Sequence, residues 1–351
     1  MDRALQALYD SDRTGALGSS SPNVPRWLGD IRTYFPSSVV RVMQQDALNR
    51  LGMKQMLLQP EMLSAMQPDV NLVANLLSLS AVIPTRTRET ARMVVRRVVA
   101  DLEQRLASPL RQAVMGTLNR GIRNRRPRLH EMDWHRTIRA NLRHYQPQQR
   151  TVIPETLVGY GRRRSSVQEI ILCIDQSGSM APSVVHAGVC GAVLASLPAV
   201  STRMVVFDTS VVELTEHLAD PVELLFGVQL GGGTDINRAL AYCQGLVTRP
   251  ADTTLVLISD LFEGGDVGEM IARAAELVHS GVTVVVLLAL DDQGAPAFDH
   301  EVAGALASLG IPAFACTPDL FPELMAAALR REDLGMWAST HGITHSGSSA
   351  G

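Results

Sequence analysis

One aspartate and two serines, each two residues apart, follow an apolar segment near the middle of the chain. The motif reads Ile-Asp175-Gln-Ser177-Gly-Ser179-Met. In a turn, alternate side chains can converge on one point, so these three would present one carboxylate and two hydroxyl oxygens to a single hard cation. Oxygen ligands without histidine or cysteine favour Mg²⁺ or Mn²⁺ over zinc. The spacing therefore predicts a magnesium site, with manganese as the alternative metal.

Two later segments offer further oxygen ligands at the ends of predicted elements. Thr234 follows three glycines in a turn before a helical stretch, and Asp260 follows an apolar segment. Because ligands bind beyond the carboxyl ends of the strands in open α/β sheets, we expect these residues to meet the first group. The predicted metal ligands are Asp175, Ser177, Ser179, Thr234 and Asp260.

Short apolar segments in the second half of the chain predict the strands that position this site. Each is followed by a turn or by a segment of helical length, and such alternation indicates a parallel sheet covered by helices on both faces. We therefore predict a doubly wound, mostly parallel α/β fold of the Rossmann-like kind. The predicted strands are Glu169–Ile174, Met204–Phe207, Thr254–Ser259, Val282–Leu290 and Ile311–Ala315.

The first part of the chain has a helical period. Apolar residues recur every three or four positions, and the third helical segment places an apolar stripe opposite its arginines. Pro60, Pro68, Pro84 and Pro109 separate the segments, because proline breaks a helix interior. We predict an all-helical N-terminal domain. Its segments are Ser37–Met66, Asn71–Leu79 and Thr90–Leu106, and the stripe consists of Met93, Val94, Val98, Leu102 and Leu106.

Charge divides the chain more sharply than its net value of −3 suggests. Residues 86–164 hold 19 arginines and 6 acidic residues, whereas residues 165–351 hold 6 arginines and 22 acidic residues. A change this abrupt indicates a domain boundary near Arg162–Arg164. The predicted order is a flexible N-terminal segment at 1–25, a helical, arginine-rich domain at 26–150, a linker at 151–166, the metal-binding α/β domain at 167–331 and a flexible tail at 332–351.

The single lysine of the chain, Lys54, argues against several classes of enzyme. It lies between a methionine and a glutamine, without the Gly-Lys-Ser/Thr of a Walker A loop, so the chain is not a P-loop NTPase by itself. Its surroundings, the polar helical stretch Gln44–Gln55, are equally unsuited to the lysine of a kinase or of a Schiff-base enzyme.

Cysteine usage and apolar runs indicate the compartment. The four cysteines include no C-x-x-C pair and three lie in apolar runs, so we expect reduced core residues and no zinc or redox centre. The N-terminus lacks the layout of a signal peptide, and the longest apolar run, Val284–Leu290, is far shorter than the ~20 residues of a membrane span. We expect a cytoplasmic protein without a membrane span. The cysteines are Cys173, Cys190, Cys243 and Cys316.

The five predicted ligands together resemble the metal-ion-dependent adhesion site (MIDAS) of the von Willebrand factor A (VWA) domain. The resemblance covers about residues 166–330 and matches Asp-x-Ser-x-Ser, the threonine in a glycine-rich turn and the aspartate after the next hydrophobic strand. It implies that the serines and the threonine bind the metal directly while the aspartates act largely through water. It also implies that an acidic side chain of a partner takes the open coordination position.

A second resemblance concerns the segment before the α/β domain. Asp133–Leu142, followed by Arg162–Arg164 and a strand, is similar to bacterial CoxE-type proteins, in which a helical region precedes a C-terminal VWA domain. This resemblance implies a partnership with a MoxR-type AAA+ ATPase, in remodelling or in maturation of a metal centre. We therefore expect a non-catalytic, Mg²⁺-dependent protein-interaction module, and no enzyme.

Two other functions stay open at this point. A hydrolase could use the same Mg²⁺ to activate water, but Ser177 lacks the Gly-x-Ser-x-Gly context, and only His217 or His300 offers a base. The arginine-rich segment, with Trp134 and Tyr145 nearby, could instead bind nucleic acid. We rank docking of that segment on the acidic domain or an acidic partner first, a solvated surface second and nucleic acid third.

Several other polar residues have simpler interpretations. Asp208, after the second predicted strand, and Asp235, beside Thr234, are expected to stabilise turns or cap a helix. His341 and His345 are four residues apart, but they lie in a tail rich in glycine and serine, where we expect disorder.

Overall fold

The structure is a computed structural model of the chain, and it describes residues 35–36, 39–40, 43, 57–115, 123–124, 132–149, 151–160, 167–228, 230–290 and 297–343. The predicted flexible segment 1–25, the surroundings of Lys54 and most of the predicted helix Ser37–Met66 lie outside the described residues. The elements below are numbered within the described ranges.

A six-stranded sheet forms the centre of the molecule, in the order β10-β9-β8-β5-β6-β7. All neighbouring pairs are parallel except β6 and β7, so the predicted doubly wound, mostly parallel α/β fold is confirmed. Each of the five predicted strands is present. Within this sheet, the sequence analysis missed the edge strand β7, which is too short to show an alternating pattern. The strands are β5 Gln168–Asp175, β6 Val200–Phe207, β7 Val211–Glu213, β8 Thr253–Ile258, β9 Thr283–Leu290 and β10 Ala313–Cys316.

Helices cover both faces of this sheet, and the first four helices precede it in sequence. They are α1 Pro60–Ala65, α2 Val70–Ser78, α3 Thr85–Met115, α4 Trp134–Ala140, α5 Ala181–Ala195, α6 Pro221–Gly227, α7 Ile236–Leu246, α8 Val267–Ser280, α9 His300–Ser308, α10 Phe321–Arg330 and α11 Leu334–Thr340. Short 3-10 turns join several of them.

Alternate residues of the central strand β5 face opposite sides of the sheet, as the pleat requires. Ile170, Leu172 and Ile174 pack into the core formed with α5 and α10. Ile171 and Cys173 pack into the other core, formed with α7, α8 and α9. The strand is therefore apolar throughout. The four cysteines are free and buried, as predicted.

Helix α5 is buried on nearly all sides because α2 and α3 cover the surface that faces away from the sheet. The stretch Gly178–Ala195 is long and apolar enough to cross a membrane by composition, but 78% of it is buried inside the fold. Among the described residues it is the only such helix. Burial inside the protein core is a sufficient explanation of the apolar composition of this helix. The N-terminal helices and the sheet consequently share one hydrophobic core.

Helix α3 departs from its predicted form at two residues. Pro109, predicted to end a helical segment, lies inside the 31-residue helix. An interior proline costs about 3 kcal/mol, and burial of Leu106 and Leu110 on either side of it opposes that cost. Met93, predicted on the buried stripe, is exposed, because it lies about 100° around the helix from buried Val94.

Among the described residues, one arginine of α3 contributes an ion pair to its packing on the α/β domain. Arg92 pairs with Glu223 of α6 at 3.0 Å, and its guanidinium lies 5.8 Å from the ring centre of Phe226. The buried side of α3 is otherwise mainly apolar, through residues such as Val95 and Leu102. Contact with the acidic domain thus rests mainly on the apolar side of α3 and not on its charges.

Helices α1, α2 and α3 confirm the predicted helical N-terminal region, but residues 123–160 add short strands, so the region is not helical throughout. Four two-residue strands form two antiparallel pairs, β1 with β4 and β2 with β3. Two of them lie in the range predicted as a linker, which is therefore structured before residue 161. The strands are β1 Arg123–Asn124, β2 Tyr145–Gln146, β3 Thr151–Val152 and β4 Gly159–Tyr160.

Helix α11 lies within the range predicted as a flexible tail. Its residues Leu334 and Ala338 are buried against the core. His341, predicted to be disordered, stacks on Trp337 at 4.5 Å and lies 3.0 Å from a carboxylate oxygen of Glu323. Apolar residues four apart form a buried helical stripe that the glycine and serine content of the tail obscured. His345 lies outside the described residues.

A buried histidine in α5 makes the stability of the fold depend on pH. The side chain of His186 is buried, and its Nδ1 has no hydrogen-bond partner within the described structure. Burial, with a smaller contribution from the charge of Arg105, lowers the pKa of His186 from 6.5 to about 4. The folded protein therefore holds this ring neutral where the unfolded chain would protonate it.

We predict that the free energy of unfolding falls as the pH drops from about 6.5 to about 4, by up to ~3 kcal/mol from this residue. The unfolded state binds the proton first in this window, so acid favours unfolding. Urea denaturation across the window measures the effect. His186→Leu should remove this part of the pH dependence, whereas His279→Leu, at an exposed position, should retain it. An unchanged pH dependence in His186→Leu would contradict the prediction.

Candidate metal centre

The predicted metal ligands lie where the strand order of the sheet reverses direction. Strand β5 pairs with β6 on one side and with β8 on the other. Asp175 is the last residue of β5, and Asp260 follows β8 by two residues. A crevice forms at such a point because the connections leave the two strands in opposite directions.

Hydrogen bonds hold the carboxylate of Asp175 in one orientation. Its Oδ1 accepts the backbone N–H of Ser177 at 2.8 Å. Its Oδ2 accepts the hydroxyl of Ser259 at 2.8 Å. After Ser177 the chain makes a 3-10 turn at Gly178–Met180 and enters α5, so both serines lie on a tight connection between strand and helix.

The two serine hydroxyls and the second aspartate form a continuous chain of contacts. Ser177 Oγ lies 3.2 Å from Ser179 Oγ. Ser179 Oγ donates to Asp260 Oδ2 at 2.6 Å. The structure thus brings together Asp175 and three further predicted ligands on two neighbouring loops.

Thr234 lies on a third loop that is hydrogen-bonded to the other two. The N–H of Gly231 donates to the carbonyl of Gln176 at 3.0 Å, and the N–H of Gly264 donates to the carbonyl of Thr234 at 2.8 Å. Gly231 and Gly232 have φ angles of 120° and 111°, which side chains rarely allow. These bonds place the half-buried Thr234 between the loop of the serines and the loop of Asp260.

The electrostatics of the site favour a cation. Asp175 and Asp260 are both buried, and neither forms an ion pair with a described residue. Burial raises the pKa of Asp175, and the negative charge of Asp260 raises it further, while the hydrogen bonds from Ser177 and Ser259 lower it. A divalent cation would offset the cost of burying two carboxylates so close together.

The chemistry of the oxygens fits a hard cation. The described residues contain no group of three or more histidine, cysteine, aspartate or glutamate side chains able to hold a metal ion. A metal at this site would therefore use hydroxyl oxygens beside the two carboxylates, a set suited to Mg²⁺ or Mn²⁺. Asp175, Ser177, Ser179, Thr234 and Asp260 are the residues that would hold it.

The sequence analysis missed two polar residues that shape the site. Ser259 donates to Asp175 and also accepts the N–H of Leu261 at 3.0 Å. Glu263 accepts the N–H of Ile236 at 2.6 Å and the N–H of Gly265 at 2.8 Å, and burial raises its pKa. Their position beside Asp260 was the only available signal, since Ser259 contacts Asp175, and Glu263 contacts Ile236, across segments far apart in sequence.

The predictions of simpler roles for two aspartates are confirmed. Asp208 Oδ1 accepts the N–H and the hydroxyl of Ser210, at 2.6 and 2.8 Å, and stabilises a turn. Asp235 Oδ1 accepts the N–H of Arg238 at 2.8 Å, so it caps the N-terminus of α7.

Comparison with known proteins identifies the family. The family model described as "VWA domain containing CoxE-like protein" matches residues 106–325, more than half of the chain. The chain belongs to this family. It is also 37% identical over 340 residues, 94% of this chain and 90% of the other, to "Uncharacterized protein YehP" of Escherichia coli (strain K12).

Two solved structures show weak similarity to this CoxE-like VWA protein. One is an aerotolerance-related membrane protein from Bacteroides fragilis NCTC 9343, 15% identical, covering 47% of this chain and 99% of the other with a TM-score of 0.37. The other is a von Willebrand factor type A structure from Catenulispora acidiphila, 16% identical, covering 50% of this chain and 44% of the other with a TM-score of 0.34. Similarities this low carry no information about function.

Gly264 is predicted to be essential for the position of the Thr234 loop. A β-carbon at residue 264 would lie 2.7 Å from the carbonyl oxygen of Thr234, which accepts its N–H. Gly264→Ala should therefore separate the two loops and lower the free energy of unfolding by ~1–3 kcal/mol. Urea denaturation measures the loss, and hydrogen exchange should increase in residues 230–236 and 261–266.

Gly245 provides a matched control on helix α7. A β-carbon there would have no neighbour within 4 Å. Gly245→Ala should raise the free energy of unfolding by ~0.5–1 kcal/mol, because alanine restricts the unfolded chain more than glycine does. Equal effects of the two substitutions would show that the loop contact is unimportant.

Proposed function

We propose that this chain is a Mg²⁺-dependent protein-interaction module. The observation that carries the proposal is the hydrogen-bonded set of Asp175, Ser177, Ser179 and Asp260, with its two buried carboxylates at neighbouring strand ends. Bound Mg²⁺ would supply positive charge and an open position for an acidic side chain of a partner. Membership in a VWA family supports the same interpretation.

Hydrogen bonds within the chain orient the two carboxylates of this site, and the charge of these carboxylates suits a divalent cation. Ser259 and the N–H of Ser177 hold the Asp175 carboxylate in one orientation. The contact from Ser179 to Asp260 holds the second carboxylate. Two carboxylates around one divalent ion leave little net charge, so a third carboxylate from a partner is tolerated. We therefore expect the surface of the partner that meets this site to be acidic.

The partner that we propose is a MoxR-type AAA+ ATPase, for which this chain would act as an adaptor in remodelling or in maturation of a metal centre. The proposal rests on the CoxE-like family and on the single lysine of the chain, which is not in a Walker A loop. ATP hydrolysis would then be supplied by the partner. Four free cysteines support a reducing, cytoplasmic location.

We further propose that the module is not an enzyme. Glu263, the carboxylate closest in sequence to Asp260, accepts backbone N–H groups with both of its oxygens, which suits a structural role. His217 is exposed on a 3-10 turn, and His300 is exposed at the start of α9. Turnover of generic phosphoesters that requires Mg²⁺ and is lost in Asp175→Asn would overturn this part of the proposal.

Metal binding is predicted to stabilise the fold. Mg²⁺ at about a hundred times its dissociation constant should add ~2.7 kcal/mol to the free energy of unfolding, because only the folded state assembles the site. Thermal denaturation with Mg²⁺ and with EDTA measures the shift in Tm. Asp175→Asn should abolish the shift, while Asp252→Asn, before the amino end of β8, should retain it. An equal shift in both variants would contradict the assignment of the site.

Partner capture is predicted to depend on Thr234. Thr234→Ala removes one hydroxyl ligand and should weaken Mg²⁺-dependent binding to a purified MoxR-type AAA+ ATPase from the same organism by about tenfold or more, a loss of ~1.4 kcal/mol or more. Surface plasmon resonance with Mg²⁺ and with EDTA measures it. Thr340→Ala, at an exposed position on helix α11, should bind like the unchanged chain. Binding that persists in EDTA would contradict the proposed metal-dependent mechanism.

A further inference from the structure

Helix α4 exposes its apolar side chains, whereas an ordinary surface helix buries them. Thr137 and Asn141, one turn apart, are buried. Trp134, Ile138 and Leu142, the last just beyond the helix, are 50%, 45% and 58% exposed. The apolar side of α4 therefore makes little contribution to the core of this chain.

The buried polar side has a complete structural explanation. Thr137 Oγ1 donates to the carbonyl of Val158 at 3.0 Å and accepts its N–H at 3.1 Å. Asn141 accepts the N–H groups of Glu155 and Thr156, both at 2.9 Å, and donates to the carbonyl of Thr156 at 2.7 Å. These bonds attach α4 to residues 155–158 without using its apolar side. The helix is thus held in place while that side stays exposed.

Two rows of side chains run along the exposed side of α4 and into the 3-10 turn Leu142–His144 that follows it. The apolar row is Trp134, Ile138 and Leu142, and the basic row is His135, Arg139 and Arg143. Within each row the residues are four apart, and the second row follows the first by one residue, or about 100° around a helix. All six side chains are exposed.

The positive charge beside the apolar row is only partly compensated within the chain. Arg143 lies 3.7 Å from a carboxylate oxygen of Glu155. Arg139 and His135 form no ion pair with a described residue. Arg136, farther around the helix, pairs with Asp133 at 3.6 Å. An occupant of the apolar row would therefore meet the uncompensated positive charge of Arg139 on one side.

We propose that this side of α4 is a docking surface for an acidic amphipathic helix of a partner protein. A helix with apolar residues at three- and four-residue spacing would pack along the apolar row. Glutamate or aspartate side chains on one flank of that helix would reach the basic row. The surface is distinct from the metal centre and does not require it.

Aliphatic side chains in the row favour a protein over a nucleic acid. Bases stack on aromatic rings and on arginine, but Ile138 and Leu142 offer neither. A second copy of this chain would bring the same row of positive charge to the interface, which argues against self-association. The helical spacing of both rows matches a helical occupant.

A display selection tests the proposal with the full chain as bait, in EDTA so that the metal centre plays no part. The probe is a library of helical peptides of about 20 residues with varied net charge. Counter-selection uses the variant Trp134→Ala/Ile138→Ala/Arg139→Glu. Circular dichroism verifies that this variant folds. Peptides that bind the unchanged chain but not the variant should be acidic and have apolar residues at three- and four-residue spacing.

Direct affinities then test the two rows separately. Fluorescence anisotropy with the best peptide should show a loss of about tenfold or more for Arg139→Glu and for Trp134→Ala/Ile138→Ala. The controls Arg97→Glu and Met336→Ala, at exposed positions on α3 and α11, should change the affinity less than about twofold.

Three results would overturn the proposal. The first is a selection that yields no discriminating peptides, or only neutral and basic ones. The second is binding of single-stranded RNA that is lost in Arg139→Glu while peptide binding is not, which would identify a nucleic-acid surface. The third is concentration-dependent dimerisation that is lost in Trp134→Ala/Ile138→Ala, which would identify a second copy as the occupant.

Discussion

Two carboxylates buried at the ends of neighbouring parallel strands are the constraint on which the rest of the site depends. Asp175 and Asp260 lie beside each other because β5 and β8 pair in register at the point where the sheet changes direction. Each is held by a serine hydroxyl, and the loops that carry them are joined to the Thr234 turn by backbone hydrogen bonds. The loops are thus organised around a pair of acidic side chains that form no ion pair within the described part of the chain.

The N-terminal helices matter to this arrangement because they complete the burial of the helix that follows the serines. Helix α5 has apolar residues on all sides, so without α2 and α3 one of its sides would be open to water. Charge contributes little to that packing, since Arg92 and Glu223 form a half-exposed pair of the kind worth about 0–1 kcal/mol. The covering layer is consequently held mainly by hydrophobic contact.

The sequence predicted the central sheet well because its strands are buried on both faces and therefore read as continuous apolar runs. The spacing in sequence grouped Ser177 and Ser179 with Asp175, and the rule for the carboxyl ends of parallel strands added Thr234 and Asp260; hydrogen bonds between the loops show that these residues are neighbours. The sequence failed where the deciding contact was distant. Pro109 stays helical through packing against other elements, and the carboxylate of Glu263 is used by a loop far away in sequence. No local pattern reports such contacts.

Helix α5 begins directly after the serine loop and connects that loop to the N-terminal helices α2 and α3. The helix starts at Ala181 and runs to Ala195, a length of about 22 Å at 1.5 Å per residue. Helices α2 and α3 pack against this helix. The serine loop at the edge of the sheet and the helices outside the sheet are therefore attached to one and the same helix.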